Sequence, residues 1–226
     1  MISDLGVIIA ASGSSQRYGV RDKLLEELGG MPVFLHSIIN FLPLVSPGNL
    51  VVAVRPEALD EYRRIAGKFL PEADISWTAG GNTRVESVLN ALTKLPLTAG
   101  LVAIHDAARP LATAQLLLKV AERAGVCGGA IAASKVTDSL KLADADGRIS
   151  APVARDAVWH AETPQVFDIE HYRRACSMLD GKSPTDDAEI MRLAGYPVEL
   201  VESGMWNLKL TAPDDLVKLR QIFPGS

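Results

Sequence analysis

The sequence predicts an α/β protein: a largely parallel sheet with helices on both faces, plus one projecting β-arm. Three observations carry that prediction. Short apolar runs, of the kind found in strands buried on both faces, alternate with amphipathic stretches of helical period. The alternation runs through nearly all 226 residues without a repeat, a low-complexity tract or an interdomain linker, so one domain is expected over 1–226. The rhythm breaks once, at about 137–157, where the pattern changes to that of a hairpin.

The first strand is expected over 6–11, where Val7, Ile8 and Ile9 precede the small residues Ala10-Ala-Ser-Gly-Ser-Ser15. Apolar runs place further strands at 49–54, 75–79, 101–105, 129–136, 158–167 and 198–202. Helices are expected at 32–42, 56–69, 83–94, 113–124, 169–179, 186–193 and 212–222. Pro32, Pro56 and Pro213 sit near helix starts, where a missing N–H is tolerated. Asn82 or Thr83 is expected to cap the helix whose Val85, Val88, Leu89 and Leu92 form one apolar face. In the hairpin, Leu140 and Leu142 alternate with Ser139 and Lys141, Asp146-Gly147 marks the turn, and Ile149 and Val153 follow. A two-stranded arm is marginal alone in water. It is therefore expected to pack on a second subunit, giving a homodimer; a hairpin folded back on its own domain is the alternative.

Composition narrows the function classes. Hydrophobic residues make up 48% of the chain, which suits a packed core rather than disorder. A net charge of -4 argues against a general nucleic-acid binder. MISDLG has no signal-peptide pattern and no apolar run is long enough to span a membrane, so a cytoplasmic protein with no membrane partner is expected. Cys127 and Cys176 lie far apart without ligand spacing and read as free thiols of a reducing compartment. His36, His105, His160 and His171 lack the spacing of a zinc site.

In a parallel sheet, ligands bind beyond the carboxyl ends of the strands, and two loops fall there. The Ala10–Gly19 loop has small residues that let its backbone approach a ligand, and Arg17 and Lys23 follow. That suits a polyphosphate, although the loop matches neither the Walker A nor the G-x-G-x-x-G pattern. An ordinary Gly/Ser turn fits the same residues. The second loop, Ile104-His-Asp-Ala-Ala-Arg-Pro110, sets Asp106 just past a strand, where a carboxylate could hold nucleotide-bound Mg²⁺ or cap a turn. Arg109 reads as structural. In Gly80-Gly-Asn-Thr-Arg-Val-Glu-Ser87, the glycines allow backbone contact with a base or ribose, and Arg84 and Ser87 lie one helical step apart; a plain glycine turn into the helix is the alternative, above all for Gly80. In Asn207-Leu-Lys-Leu-Thr211, a strand-like run, an inward-facing Lys209 would need an anionic partner; an edge-strand lysine facing solvent is the alternative.

Taken together, these segments resemble the 2-C-methyl-D-erythritol 4-phosphate cytidylyltransferase family almost end to end. The resemblance is carried by Ala10-Ala-Ser-Gly-Ser-Ser-Gln-Arg17, Asp22-Lys23, Gly80-Gly-Asn-Thr-Arg84, Ile104-His-Asp-Ala-Ala-Arg-Pro110, Trp159-His-Ala-Glu-Thr-Pro-Gln165, Thr185-Asp186 and Asn207-Leu-Lys-Leu-Thr211. The HDAARP and WHAETPQ runs and the late lysine, in that order, are the specific part. The resemblance implies a single Rossmann-like nucleotidyltransferase domain that moves CMP from CTP to methylerythritol phosphate, with Mg²⁺ as cofactor. It implies catalytic cations at Arg17, Lys23 and Lys209. It implies a nucleotide site built from Ala10, Ala11, Gly13, Ser14, Gly81, Asn82, Arg84, Ser87 and Asp106. Asp106, Ser139, Arg155, Thr185 and Lys209 are implied for the acceptor, with Asp106 also near the metal. Ser139 and Arg155 lie in the arm, which in the family reaches a partner's site. The loop departs from the family's Ala-Ala-Gly-x-Gly-x-Arg by an extra Ser12 before Gly13 and by Ser15 in place of the second glycine.

The chemistry agrees with that resemblance. A phosphate monoester is already anionic at neutral pH, its second pKa being ~6, so no general base is needed. The obstacle is repulsion between an anion and a polyanion, which fixed cations relieve. His105 and His160 are accordingly expected to pack and orient rather than transfer protons. A ribitol 5-phosphate cytidylyltransferase is the nearest rival; a non-catalytic nucleotide-binding module is a remote one.

Overall fold

A computed structural model describes residues 4–13, 18, 22–96 and 98–223. In chain order the elements are β1 (Leu5–Ala11), a small hairpin of β2 (Glu27–Leu28) and β3 (Met31–Pro32), α1 (Val33–Phe41), β4 (Leu50–Val54), α2 (Leu59–Phe69), β5 (Ser76–Ala79), α3 (Arg84–Leu92), β6 (Leu101–Asp106) and α4 (Ala114–Cys127). Then follow β7 (Gly129–Lys135), β8 (Lys141–Ala143), β9 (Ile149–Pro152), β10 (Trp159–Asp168), α5 (Ile169–Ser177), α6 (Asp187–Leu193), β11 (Glu199–Glu202) and α7 (Pro213–Ile222). Seven strands make one sheet in the order β11-β7-β10-β6-β1-β4-β5. β10 runs antiparallel to both its neighbours, and the other pairings are parallel.

The strands alternate their side chains between two cores, one on each face of the sheet. Val7 and Ile9 of β1, with Leu50, Val52 and Val54 of β4, pack on the face covered by α1, α2, α4 and α7. Ile8, Val51, Ala53, Val102 and Ile104 pack on the other, under α3, α5 and α6. The continuous Val-Ile-Ile run is therefore explained by burial on both sides, and Leu5, Val7, Ile8 and Ile9 are fully buried. Several helices start on side-chain caps: Thr83, Thr113, Asp168 and Asp186 each accept a backbone N–H of the first turn.

Three details differ from the sequence expectation. Residues Pro56–Ala58 form a tight 3₁₀ turn, so α2 begins only at Leu59. The β2–β3 hairpin was not expected; its signal was Gly29-Gly30, both at positive φ (57° and 80°), the demand of a two-residue hairpin turn. Residues 207–211 are not a strand: Leu210 N–H donates to Ala108 O at 2.8 Å, and no ladder follows.

At 137–157, β8 and β9 pair only with each other, outside the main sheet. Asp144 Oδ1 accepts from the N–H groups of Asp146 and Arg148 and closes the turn. Leu142 and Ile149 stay 55% and 70% exposed, which leaves this pair without a core of its own.

Candidate active site

The carboxyl ends of β1 and β6 and the start of α3 enclose a cavity of about 300 Å³. Ala10, Ser12 and Gly13 line it from the first loop, Gly81, Asn82, Arg84 and Ser87 from the second, with Lys23, Asp106 and Lys209 closing it. The two loops are locked by one hydroxyl. Ser87 Oγ donates to Thr83 O at 2.9 Å and accepts from Ser12 Oγ and from Gly81 N–H, both at 3.0 Å. Its single proton and both lone pairs are thereby used. A Cβ on Gly80 would stand 2.6 Å from Ser12 Cβ, and one on Gly81 would stand 2.3 Å from Glu86 Cβ. At both positions a side chain would have to displace Ser12 or Glu86, so glycine is favoured there.

Arg55, absent from the sequence reading, ties the first loop to the lysine that follows it. It donates to Gly13 O at 3.1 Å and pairs with Asp22 at 2.8 Å. Asp22 Oδ2 also accepts from Tyr62 Oη, while its Oδ1 caps the turn that starts at Lys23. Arg55 directly follows β4, so a cation at a strand's carboxyl end was the signal. Lys23 Nζ donates to Leu210 O at 2.9 Å, beside Lys209.

At the centre stands Asp106, 7% exposed. Its Oδ1 accepts from Arg84 Nη1 at 2.6 Å and its Oδ2 from Lys209 Nζ at 2.5 Å. Burial alone would raise the Asp106 pKa; the adjoining charges of Arg84 and Lys209 outweigh it and hold the carboxyl well below the usual range. Lys209 thus has the anionic partner its position called for. Its backbone is pinned on both sides: Arg109 Nη1 donates to Asn207 O at 2.6 Å, and Leu210 N–H to Ala108 O. Asn207 Nδ2 donates in turn to Glu162 and to Thr163 O. Arg109 thus holds this backbone in place, and its side chain also borders the two further cavities described below.

His105 is fully buried, its Nδ1 3.1 Å from Thr163 Oγ1 and its ring edge-on to Phe41. Burial pushes its pKa down to about 3, so the ring is neutral at physiological pH and is no proton shuttle there.

A second cavity, about 290 Å³, adjoins the first and shares Arg84, Asp106 and Lys209 with it. Thr185, Asp186, Thr163 and Gln165 line its far side. Thr185 Oγ1 already donates to Glu189 at 2.9 Å. A third and wider cavity, about 540 Å³, also borders Lys209, between Trp159, His160 and Met205.

Not every expected site residue joins this cluster. Ala11 is buried in the core and lines no cavity described above; only its neighbour Ala10 does. Ser139 and Arg155 are exposed on the arm and line none of the three cavities; Arg155 donates to Thr137 O at 2.5 Å. Arg17 and Ser14 lie outside the described residues. The reading also missed Asp187, fully buried beside Thr185-Asp186 and paired with Arg84 at 2.8 Å.

Among the described residues, no three His, Cys, Asp or Glu side chains converge as a metal cage. Among the described residues, Asp106 is the one carboxylate that lines the first cavity. Mg²⁺ commonly takes one or two carboxylates and completes its shell with substrate phosphates and water. A carboxylate has about four acceptor sites, so Asp106 can serve such an ion beside its cation partners. The donor set fits a cation delivered with a triphosphate rather than a resident one.

A mostly parallel α/β sheet with a glycine-closed loop pair, a cation cluster and a buried carboxylate at the strand ends defines a nucleotidyltransferase-like protein. Comparison with known proteins narrows that class. The sequence model of the 2-C-methyl-D-erythritol 4-phosphate cytidylyltransferase (IspD) family matches residues 5–223. The chain is 37% identical over 219 residues to the 2-C-methyl-D-erythritol 4-phosphate cytidylyltransferase of Aquifex aeolicus (strain VF5), covering 95% of each. Its identity to the protein of that name from Trichormus variabilis (strain ATCC 29413 / PCC 7937) is 35% over 213 residues, 93% of each. The crystal structure of 2-C-methyl-D-erythritol 4-phosphate cytidylyltransferase from Thermus thermophilus matches with a TM-score of 0.80 at 28% identity, over 97% of this chain and 98% of that one. The chain belongs to the 2-C-methyl-D-erythritol 4-phosphate cytidylyltransferase family.

Proposed function

We propose that the protein transfers CMP from CTP to 2-C-methyl-D-erythritol 4-phosphate, forming 4-diphosphocytidyl-2-C-methyl-D-erythritol and pyrophosphate, a step of isoprenoid precursor synthesis. The observation that carries this reading is the wall between the two cavities. Arg84, Asp106 and Lys209 border both, so a nucleotide in one and an acceptor phosphate in the other would meet at those three side chains.

An oxygen of the acceptor phosphate attacks the α-phosphorus, and the bond from that phosphorus to the β-phosphate's bridging oxygen breaks. Pyrophosphate carries away the electron pair. No proton has to be removed from the attacking group, because a phosphate monoester is ionised at pH 7. Lys209 and Lys23, with Arg17, lower the repulsion between the two anions and stabilise charge on the in-line transition state. Arg84 and Asp106 hold Lys209 in place, and the Ser12–Ser87 lock keeps the loops closed around base and ribose. Mg²⁺, with Asp106 as its protein ligand, would supply further charge neutralisation on the triphosphate.

The exposed apolar residues Leu142 and Ile149 support a homodimer in which the arm carries Ser139 and Arg155 to the partner's acceptor cavity. The two free thiols, Cys127 and Cys176, suit a reducing cytoplasm. Among the described residues, no helix is long and apolar enough to cross a membrane.

The test is pyrophosphate release by the purified protein with CTP, Mg²⁺ and methylerythritol phosphate. Turnover with ribitol 5-phosphate in its place, and none with methylerythritol phosphate, would overturn the acceptor assignment. For the shared site, heterodimers of Arg17→Ala and Arg155→Ala subunits should regain activity that neither homodimer has. Inactive heterodimers count against the arm.

A further inference from the structure

Asp187 is fully buried, touches none of the cavities described above, and yet binds the guanidinium that borders two of them. Arg84 Nε and Nη2 both reach Asp187 Oδ2, at 2.9 and 2.8 Å, while Nη1 reaches Asp106 Oδ1 at 2.6 Å. A guanidinium is a rigid planar fork. Once two of its nitrogens are set on Asp187, the third has a single direction, and that direction is Asp106.

Asp187 is itself immobilised. Its Oδ1 accepts from Tyr172 Oη at 2.6 Å, and Tyr172 is fully buried and stacked on Phe167. The start of α6, where Asp187 sits, is clamped to β10 by one side chain. Gln165 Nε2 donates to Asp186 Oδ2 at 3.2 Å, and Gln165 Oε1 accepts from Ala188 N–H at 3.0 Å. The chain of contacts therefore runs from the sheet through α6 to Arg84 and ends on the carboxylate that holds Lys209.

We propose that Asp187 is a positioning residue for the transfer reaction: with Tyr172 it aims Arg84, and through Arg84 it fixes Asp106 between the nucleotide and acceptor cavities. The role has a physical need. When a triphosphate enters, Lys209 and Lys23 are drawn to its charge, and Asp106 loses part of its hold on that side. Arg84 is drawn by the same charge, and the buried Asp187 keeps it in place.

The proposal rests on the cytidylyltransferase reading, and wild-type turnover in the same assay tests that reading by itself. The test of Asp187 is a double-mutant cycle in pyrophosphate release with Asp187→Asn and Arg84→Lys. Asp187→Asn alone should lower kcat/KM roughly ten- to a hundredfold, the range for outer partners that orient a site group. The fall should lie in kcat, with KM for CTP changed much less. In the Arg84→Lys background, where no fork remains to be aimed, the same substitution should change kcat/KM only about twofold, the near-complete coupling of residues that act as one unit. Tyr172→Phe keeps the ring packing and removes only the hydroxyl; it should show a smaller loss with the same dependence on Arg84, and it decides the matter if Asp187→Asn does not fold. Wild-type kcat/KM in Asp187→Asn or Tyr172→Phe would overturn the proposal. So would an equal fold-loss in both Arg84 backgrounds, the mark of a residue that only supports the fold.

Discussion

Replacing Lys209 by methionine separates the chemistry of the site from its contribution to the fold. Methionine keeps most of the unbranched stem and removes the ammonium. In the folded protein that ammonium stands 2.5 Å from Asp106 Oδ2, but the lysine side chain is 39% exposed. Water therefore screens the pair, and its net worth falls in the range of exposed ion pairs, roughly 0–1 kcal/mol. Asp106 does not lose its charge compensation, because Arg84 remains on Oδ1 at 2.6 Å. Unfolding should shift little: for a chain of this size, about 1 kcal/mol corresponds to about 2–4 °C in Tm. The rate should respond far more. Removing a fixed donor to transition-state charge costs about 10²–10³ in kcat, or about 2.7–4 kcal/mol. The assay pairs pyrophosphate release with thermal unfolding on the same preparation. Wild-type turnover in Lys209→Met would refute the cation assignment. A loss of activity matched by an equal loss of stability would refute the separation.

Other outcomes follow from the same geometry. The folded-state pKa of Asp106 is depressed, so its stabilising effect is present above the unfolded value of about 3.9 and is lost as pH falls below it. The wild type should therefore exceed Asp106→Asn in urea resistance at pH 6, and the gap should narrow by pH 3; a constant gap contradicts the ion-pair account. His105, held neutral by burial, should show no NMR titration between pH 5 and 8, and a midpoint near the ordinary 6.5 would contradict that environment. Because its folded pKa is lowered, its stabilising effect is complete above about 6.5 and declines as pH falls towards 3. Gly80→Ala should weaken CTP binding, since the new Cβ would lie 2.6 Å from Ser12 Cβ; adding Ser12→Gly should recover part of the affinity in a titration, and no recovery would contradict the contact.

Much of this architecture was legible in local pattern. The Val7-Ile8-Ile9 run announced a strand buried on both faces, and β1 lies in the interior of the sheet. The His105-Asp106 step past an apolar run announced a strand-end carboxylate, and Asp106 stands there. Lys209 is partly open to solvent, with 39% of its side chain exposed, yet it finds an anion in the same residue. What stayed hidden depends on distance along the chain. Arg84 and Asp187 are 103 residues apart, and no spacing rule joins them. Alternation also reads the same in either direction, so the antiparallel insertion of β10 between β6 and β7 left no mark in the pattern. The segment 207–211 alternates like a strand because Leu210 is buried while Lys209 reaches out to Asp106, but its backbone is fixed by separate contacts to Ala108 and Arg109 instead of a ladder.

On the proposed mechanism, the cavities on either side of Arg84, Asp106 and Lys209 bring CTP and an acceptor phosphate together. That mechanism is tested most directly by incubating the protein with CTP, Mg²⁺ and either methylerythritol phosphate or ribitol 5-phosphate, and measuring pyrophosphate and the cytidine diphosphate-linked product. Both products are expected with methylerythritol phosphate, and little or none with ribitol 5-phosphate. Absence of product with methylerythritol phosphate, or preference for the ribitol acceptor, would contradict it.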